Sequence, residues 1–272
     1  MNMHIHSAKP DLHVEQKIEL GMSPADVWDI VGNFGRWQDW HPAVTASDIV
    51  RGVNHVPGAI RRSTLAGGGT VDDQLMVYEP QNRLLRVAYS AGDFPVSDYL
   101  ATLAISAHPD PGRSTLVWRA SFKRADRAAR PAPGRDDATA TAAVKAVLSA
   151  GLHAVGHIVA ERKAILQVID LYASGDALTV ARAFHPSATM KYVLDDHLVD
   201  EPIGEFLTHY LPPGGVEPRT LKIDHVDLLG TAASARLTID YPTYQFIDYF
   251  NLLKIEGRWL VVGKIFHRRQ KT

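Results

Sequence analysis

"SPADVWDIVGNFGRWQDWHP", residues 23–42, decides how the first half of this chain folds. Ser23 is placed to cap a helix, Pro24 suits its first position, and Asp26 completes a capping-box pattern. Val27, Ile30, Val31 and Phe34 then recur at helical spacing as one apolar face. The spacing predicts a short amphipathic helix that runs into an elbow. There Trp37 and Trp40 sit three residues apart, while Pro42 keeps His41 out of helical geometry and starts a strand. Two roles stay open for Trp37, Trp40 and His41: a packing wedge between elbow and sheet, or a pocket mouth with indole walls and His41 as a polar contact.

Upstream, "LHVEQKIEL" alternates, with Val14, Ile18 and Leu20 on one face and His13, Glu15, Lys17 and Glu19 on the other, as in a half-buried strand. Downstream, strand-like runs near 44–53, 58–65, 71–79, 83–90, 97–107 and 114–123 are separated by turn clusters such as "GGG", "EPQN" and "HPDPG". They predict an antiparallel meander. "KRADRAARPAPGRDD" breaks the pattern and reads as an exposed, mobile connection over 124–137. From about Ala138 to Tyr172 the chain becomes helical, with Val144, Val147, Leu148, Leu152, Val155, Ile158 and Val159 as an apolar stripe. Either one long helix spans this stretch or two helices meet near Glu161, where "ERK" interrupts the stripe. The domain boundary is expected there.

In the second half Asp176 can cap a short helix containing Leu178, Ala181 and Phe184, stopped by "HP" at 185–186. Another helix fits Pro202 to Leu211, with Ile203, Phe206, Leu207 and Tyr210 at helical spacing, and "PPGG" ends it. Strand-like segments follow near 219–229, 231–241, 243–255 and 258–267. The last two are joined by the turn "EGR".

The 272 residues carry a formal net charge of -1 and no cysteine. Near-neutral charge gives no field to draw in nucleic acid or an anionic membrane, so neither is expected as a partner. The lack of cysteine removes disulfides, thiolate nucleophiles and cysteine-zinc sites together. "MNMHIHSAKPDLH" lacks the apolar core of a signal peptide and no run approaches about 18 apolar residues, so a cytoplasmic protein is expected.

Strand, capped helix, W-x-x-W-H-P elbow, meander and long helix together resemble the helix-grip superfamily over roughly residues 10–163. That superfamily gathers START-related, birch-pollen-allergen-like and polyketide cyclase/dehydrase-like proteins under the label SRPBCC. "LYASGDALTVARAFHPSATM" and "FIDYFNLLKIEGRWLVVGKIFHR" make residues 164–270 similar to the nuclear-transport-factor-2-like cone fold, in its lumazine-binding and SnoaL-like group. The implied architecture is α+β: a helix-grip domain over 1–163, with a curved antiparallel sheet around a long C-terminal helix, then a cone-shaped α+β barrel over 164–272. Both resemblances imply an apolar pocket for a small hydrophobic or aromatic molecule. The second also implies a homodimer paired through its sheet, whose outer strands carry Tyr241, Tyr244 and Tyr249.

Some cone-fold enzymes move protons beside a carbonyl. Ketosteroid isomerase is one, and its base position falls here on Tyr192 and its tyrosine position on Val168, so that mechanism does not carry over. A different base remains: alternation puts Asp248 on a face with Phe246, Phe250 and Leu252, where desolvation would raise its pKa into a range useful for acid–base chemistry. By the same alternation His225 shares a face with Leu221 and Ile223, and His267 with Val261 and Ile265. Convergence of Asp248, His225, His267 and Tyr192 would favour a cofactor-independent cyclase, dehydratase or isomerase. The alternatives are a non-catalytic carrier or sensor, and a C-terminal domain that mainly dimerises. In the first domain Tyr89, Tyr99 and Trp118 join Trp37, Trp40 and His41 as wall candidates.

His153, His157 and Glu161 recur every four residues, a spacing that could begin a metal site, but "HAVGH" lacks the glutamate of H-E-x-x-H. A polar stripe is the favoured reading, with neither metal nor cofactor expected. "LAGGGTVDD" has no lysine-serine ending of a phosphate loop and reads as a hairpin. No serine stands in a nucleophile-elbow context.

Overall fold

The computed structural model describes residues 11–211 and 218–271, the side chain of Tyr210 aside. The chain is α+β, with two large sheets and one long helix, and forms two compact units that divide between Ala160 and Glu161.

The first unit opens with β1 (Leu12–Leu20) and α1 (Pro24–Val31). Ser23 caps α1 by accepting the Asp26 N–H and donates its hydroxyl to the Asp26 carboxylate at 2.6 Å. Val27 and Val31 are fully buried below it. After a short 3-10 turn at Trp37–Asp39 come β2 (Val44–Arg51), β3 (Ile60–Leu65), β4 (Thr70–Glu79), β5 (Leu84–Gly92), β6 (Val96–Ala107) and β7 (Ser114–Arg124). All seven strands form one antiparallel sheet in the order β1-β7-β6-β5-β4-β3-β2.

The segment after β7 is mostly exposed but is not left untied. The Asp126 carboxylate accepts the Ala128 and Ala132 N–H groups at 2.9 and 3.1 Å. Arg124 bridges the carbonyl of Ala128 and, at 2.7 Å, the carboxylate of Asp137.

Asp137–Ala173 is a single helix, α2, which settles the choice left open at Glu161. Glu161 accepts hydrogen bonds from Lys254 Nζ at 2.6 Å and Trp259 Nε1 at 2.7 Å, so its charge is satisfied by tertiary partners and the helix continues. By length and composition alone α2 is apolar enough to cross a membrane, with an 18-residue window of mean hydropathy 1.4, which corrects the expectation that no run approaches that. Its stripe of Val144, Leu148, Leu152, Val155 and Val159 is buried, and 33 % of that window is buried as a whole.

The second unit adds α3 (Ala177–Ala181), β8 (Phe184–Leu194), β9 (His197–Pro202), α4 (Ile203–Tyr210), β10 (Thr220–Leu229), β11 (Ala232–Asp240), β12 (Tyr244–Ile255) and β13 (Arg258–Gln270). "PPGG", read as the stop of α4, lies outside the described residues. The sheet order is β10-β11-β12-β13-β8-β9, antiparallel except for the β13–β8 pair. Strands β8 and β9 were not expected. Their turn is Asp195–Asp196, both with positive φ, a conformation usually signalled by Asn-Gly rather than Asp-Asp. The core joins Ile165, Val168, Ile169 and Tyr172 of α2 to Leu237, Ile239, Phe250, Leu252, Trp259 and Val261 of the sheet.

Candidate functional site

Two β-bulges decide which side chains face the interior of the second unit. On β13, Asn251 pairs with Gly263 but Leu252 pairs with Val261, so Val262 is an extra residue. The alternation therefore flips: Val261 is buried before the bulge, and Lys264 and Phe266 turn inward after it. On β10 the register shifts between Ile223 and His225. His225 is consequently exposed and does not share a face with Leu221 and Ile223, which corrects that expectation. His267 is likewise exposed and parted from the face of Val261, although it lies at the edge of the cavity described next.

That cavity has a volume of about 770 Å³ and lies within the second unit. Its walls include Tyr192, Phe206, Tyr241, Tyr244, Phe246 and Phe266. Tyr192 stacks on Phe266 with ring centres 4.6 Å apart, and Tyr241 stacks on Tyr244 at the same distance. Tyr241 and Tyr244 thus face inward, and of the three tyrosines expected on the outer sheet only Tyr249, 43 % exposed, is there.

Lys264 and Tyr172 form the polar floor. The Lys264 ammonium lies 2.7 Å from Asp248 Oδ2 and donates to the Tyr172 hydroxyl at 2.6 Å, and that hydroxyl donates to the same carboxylate oxygen at 2.9 Å. The rings of Tyr172, Phe206, Phe250 and Phe266 surround Nζ at 4.8, 5.6, 5.9 and 4.9 Å from their centres, close enough for cation–π attraction. Burial pushes the Lys264 pKa down, opposed by Asp248. Burial, reinforced by Asp248, pushes the Tyr172 pKa well up, so the phenol stays a donor. Both groups line the cavity, whereas Asp248 is fully buried behind them. An ammonium has three donors and two are used here, which leaves one for a ligand.

Asp248 and Tyr192 therefore lie close to this floor and its wall, His267 at the rim, and His225 elsewhere. The sequence reading passed over Lys264, Tyr172 and Arg219. Arg219 donates to the Tyr241 hydroxyl at 2.8 Å and to the Tyr172 and Ala173 carbonyls at 3.3 Å, closing the C-terminal end of α2. Gly263 was the available signal for Lys264, since an isolated glycine inside a strand marks a bulge.

In the first unit Trp37, Trp40, His41 and Trp118 pack on one another with ring centres 5.4 to 5.9 Å apart. None is more than 8 % exposed. The His41 ring bridges the Ala43 N–H and the Val147 carbonyl, joining the elbow to α2. Arg61 lies over the Trp37 ring at 3.8 Å, paired with Asp73 at 2.6 Å. The four residues thus form one buried, mutually packed cluster. Tyr99 is buried against Phe94 and Phe122, and half-buried Tyr89 donates its hydroxyl to the Gly92 carbonyl. Among the described residues no group of histidines and carboxylates is placed to hold a metal.

Residues 11–157, more than half of the sequence, match the profile described as "Polyketide cyclase / dehydrase and lipid transport". The chain belongs to this family. The remainder of this polyketide cyclase/dehydrase-family chain matches, over residues 160–267, the profile described as "Putative lumazine-binding". Similar solved structures include the XoxI protein of Bacillus cereus, at 22 % identity, covering 56 % of this chain and 97 % of that one with a TM-score of 0.49. The Zhui aromatase/cyclase of Streptomyces sp. R1128 is 20 % identical, covering 56 % and 95 % with a TM-score of 0.46. An NTF2-like protein of unknown function from Shewanella baltica is 34 % identical, covering 42 % and 97 % with a TM-score of 0.37. No protein of curated function matches the chain.

Proposed function

We propose that the second unit of this polyketide cyclase/dehydrase-family protein binds a small, flat hydrophobic or aromatic metabolite, and that the first unit, packed around its tryptophans, is a scaffold. One observation carries this reading: an aromatic-walled cavity of about 770 Å³ has a polar floor made by Lys264 and Tyr172. Such a site holds a ring system by dispersion and orients it by a few donors. Native mass spectrometry of the purified protein, followed by extraction and identification of the retained molecule, tests it. A retained planar compound displaced from a Phe266→Ala variant is expected. An empty protein that binds no aromatic compound in solution would overturn it.

A catalytic form of the reading follows from the same floor. Lys264 keeps one unused N–H on the cavity floor, with Tyr172 and Asp248 fixing its ammonium behind it, which suits stabilisation of an enolate oxygen during a cyclisation or dehydration. Asp248, fully buried behind the floor, has no access to the cavity and would act only by holding Lys264 in place. Pairing of two copies would use the opposite face of the sheet, where Tyr249 and Ile265 are cross-strand neighbours and 43 % and 52 % exposed.

A further inference from the structure

The cavity walls carry an unbalanced charge. Among the described residues the lining includes Lys191, Arg219, Lys264, His267 and Arg268 and no aspartate or glutamate. Two of these cations are neutralised locally, Lys264 by Asp248 and Lys191 by Asp200. Arg219 and Arg268 face no carboxylate among the described residues. Among the described residues Arg219 bonds a tyrosine hydroxyl and two backbone carbonyls. The Arg268 guanidinium rests on the Tyr244 ring, 4.3 Å from its centre.

These two arginines act at one place. Arg219 bonds the Tyr241 hydroxyl and lies 5.8 Å from the Tyr241 ring centre, Tyr241 stacks on Tyr244, and Arg268 covers Tyr244. One guanidinium is therefore held on each ring of a stacked tyrosine pair, beside a lysine with an unused donor. Guanidinium groups pair with carboxylates through parallel N–H donors, and such charge-assisted bonds are about twice as strong as neutral ones. A neutral ligand would leave this positive field unanswered.

We infer that the ligand of the cavity is an anion, an aromatic acid or a comparably acidic enol, with its ring system among the aromatic walls and its negative oxygens on Arg268, Arg219 and Lys264. This rests on the binding site proposed above and adds the charge of its occupant.

The test uses acid and amide pairs of one shape: benzoate and benzamide, 2-naphthoate and 2-naphthamide, 9-anthroate and its amide. Each is titrated into the full chain by calorimetry at low and at moderate salt. At least one acid is expected to bind about tenfold or more tightly than its amide, with the advantage shrinking as salt rises. Arg268→Gln, at the exposed end of β13, should cut that acid-to-amide ratio several-fold while Tm stays near that of the parent. Amides that bind as well as their acids, or an unchanged ratio in Arg268→Gln, would overturn the inference and leave the binding site standing. If no member of either series binds, the binding site itself is overturned and the inference falls with it.

Discussion

Lys264 holds its ammonium 2.7 Å from the carboxylate of Asp248, with side-chain exposures of only 4 % and 0 %. A buried pair of this kind is not a large net source of stability, because desolvation opposes the attraction, but breaking it leaves one charge stranded. Asp248→Asn and Lys264→Met should each lower unfolding stability by about 3–5 kcal/mol. The double variant should recover much of the loss, and urea denaturation of the four proteins measures it. Additive losses would show that the two groups are not coupled.

Tyr172 gives the same cluster a signature in alkali. Its pKa is raised in the folded protein, so above the ordinary value of 10.0 the unfolded chain releases a proton that the folded chain keeps. Stability is then lost as pH climbs, by up to about 1.4 kcal/mol per pH unit for this one group. Below that value the group binds its proton in both states and adds no slope. Urea midpoints of wild type and Tyr172→Phe, compared from pH 8 to 11, should therefore converge only above pH 10.0. A constant difference across the range would contradict a raised phenol pKa.

His41 works in the opposite direction. Burial, with a further push from the Arg61 charge, lowers its pKa below the ordinary 6.5, against the pull of the Val147 carbonyl. As pH falls through 6.5 the unfolded chain takes up a proton that the folded chain refuses, and stability declines. The ring keeps Nδ1 as an acceptor for the Ala43 N–H and donates from Nε2 to Val147. In a proton-detected titration its imidazole signals should change to those of the charged form only at a pH below that of free histidine in the same buffer. A His41 curve that overlays that of free histidine would refute the assignment.

The elements were legible from local patterns because local chemistry sets them: the Ser23 cap, the alternation in β1, and the turns of the meander all lie in contiguous sequence. The site was legible only in part. Asp248 was found because β12 alternates without interruption, but one extra residue on β13 and a shift on β10 reverse the facing of everything beyond, hiding Lys264 and misplacing His267 and His225. Tyr172 entered only as the end of the long helix, because its polar partners Asp248 and Lys264 lie far along the chain. Arg219 had no local pattern, since its partners are carbonyls 46 and 47 residues away. Glu161 read as an interruption for the same reason.

Two helical glycines should respond oppositely to the same substitution. A Cβ at Gly151 of α2 would lie 2.7 Å from Trp118 and 2.8 Å from the His41 ring, both held in the aromatic wedge and unable to yield. Overpacking of that size costs about 1–3 kcal/mol, more than the helical preference of alanine returns. At Gly204 of α4 nothing lies within 4 Å of the same atom. There alanine should raise stability by about 0.5–1 kcal/mol, by restricting the unfolded chain. Thermal unfolding of Gly151→Ala and Gly204→Ala reads both at once. If Gly151→Ala were as stable as the parent, α2 could not be seated on the tryptophans as closely as the distances require, and the scaffold role of the wedge would lose its basis.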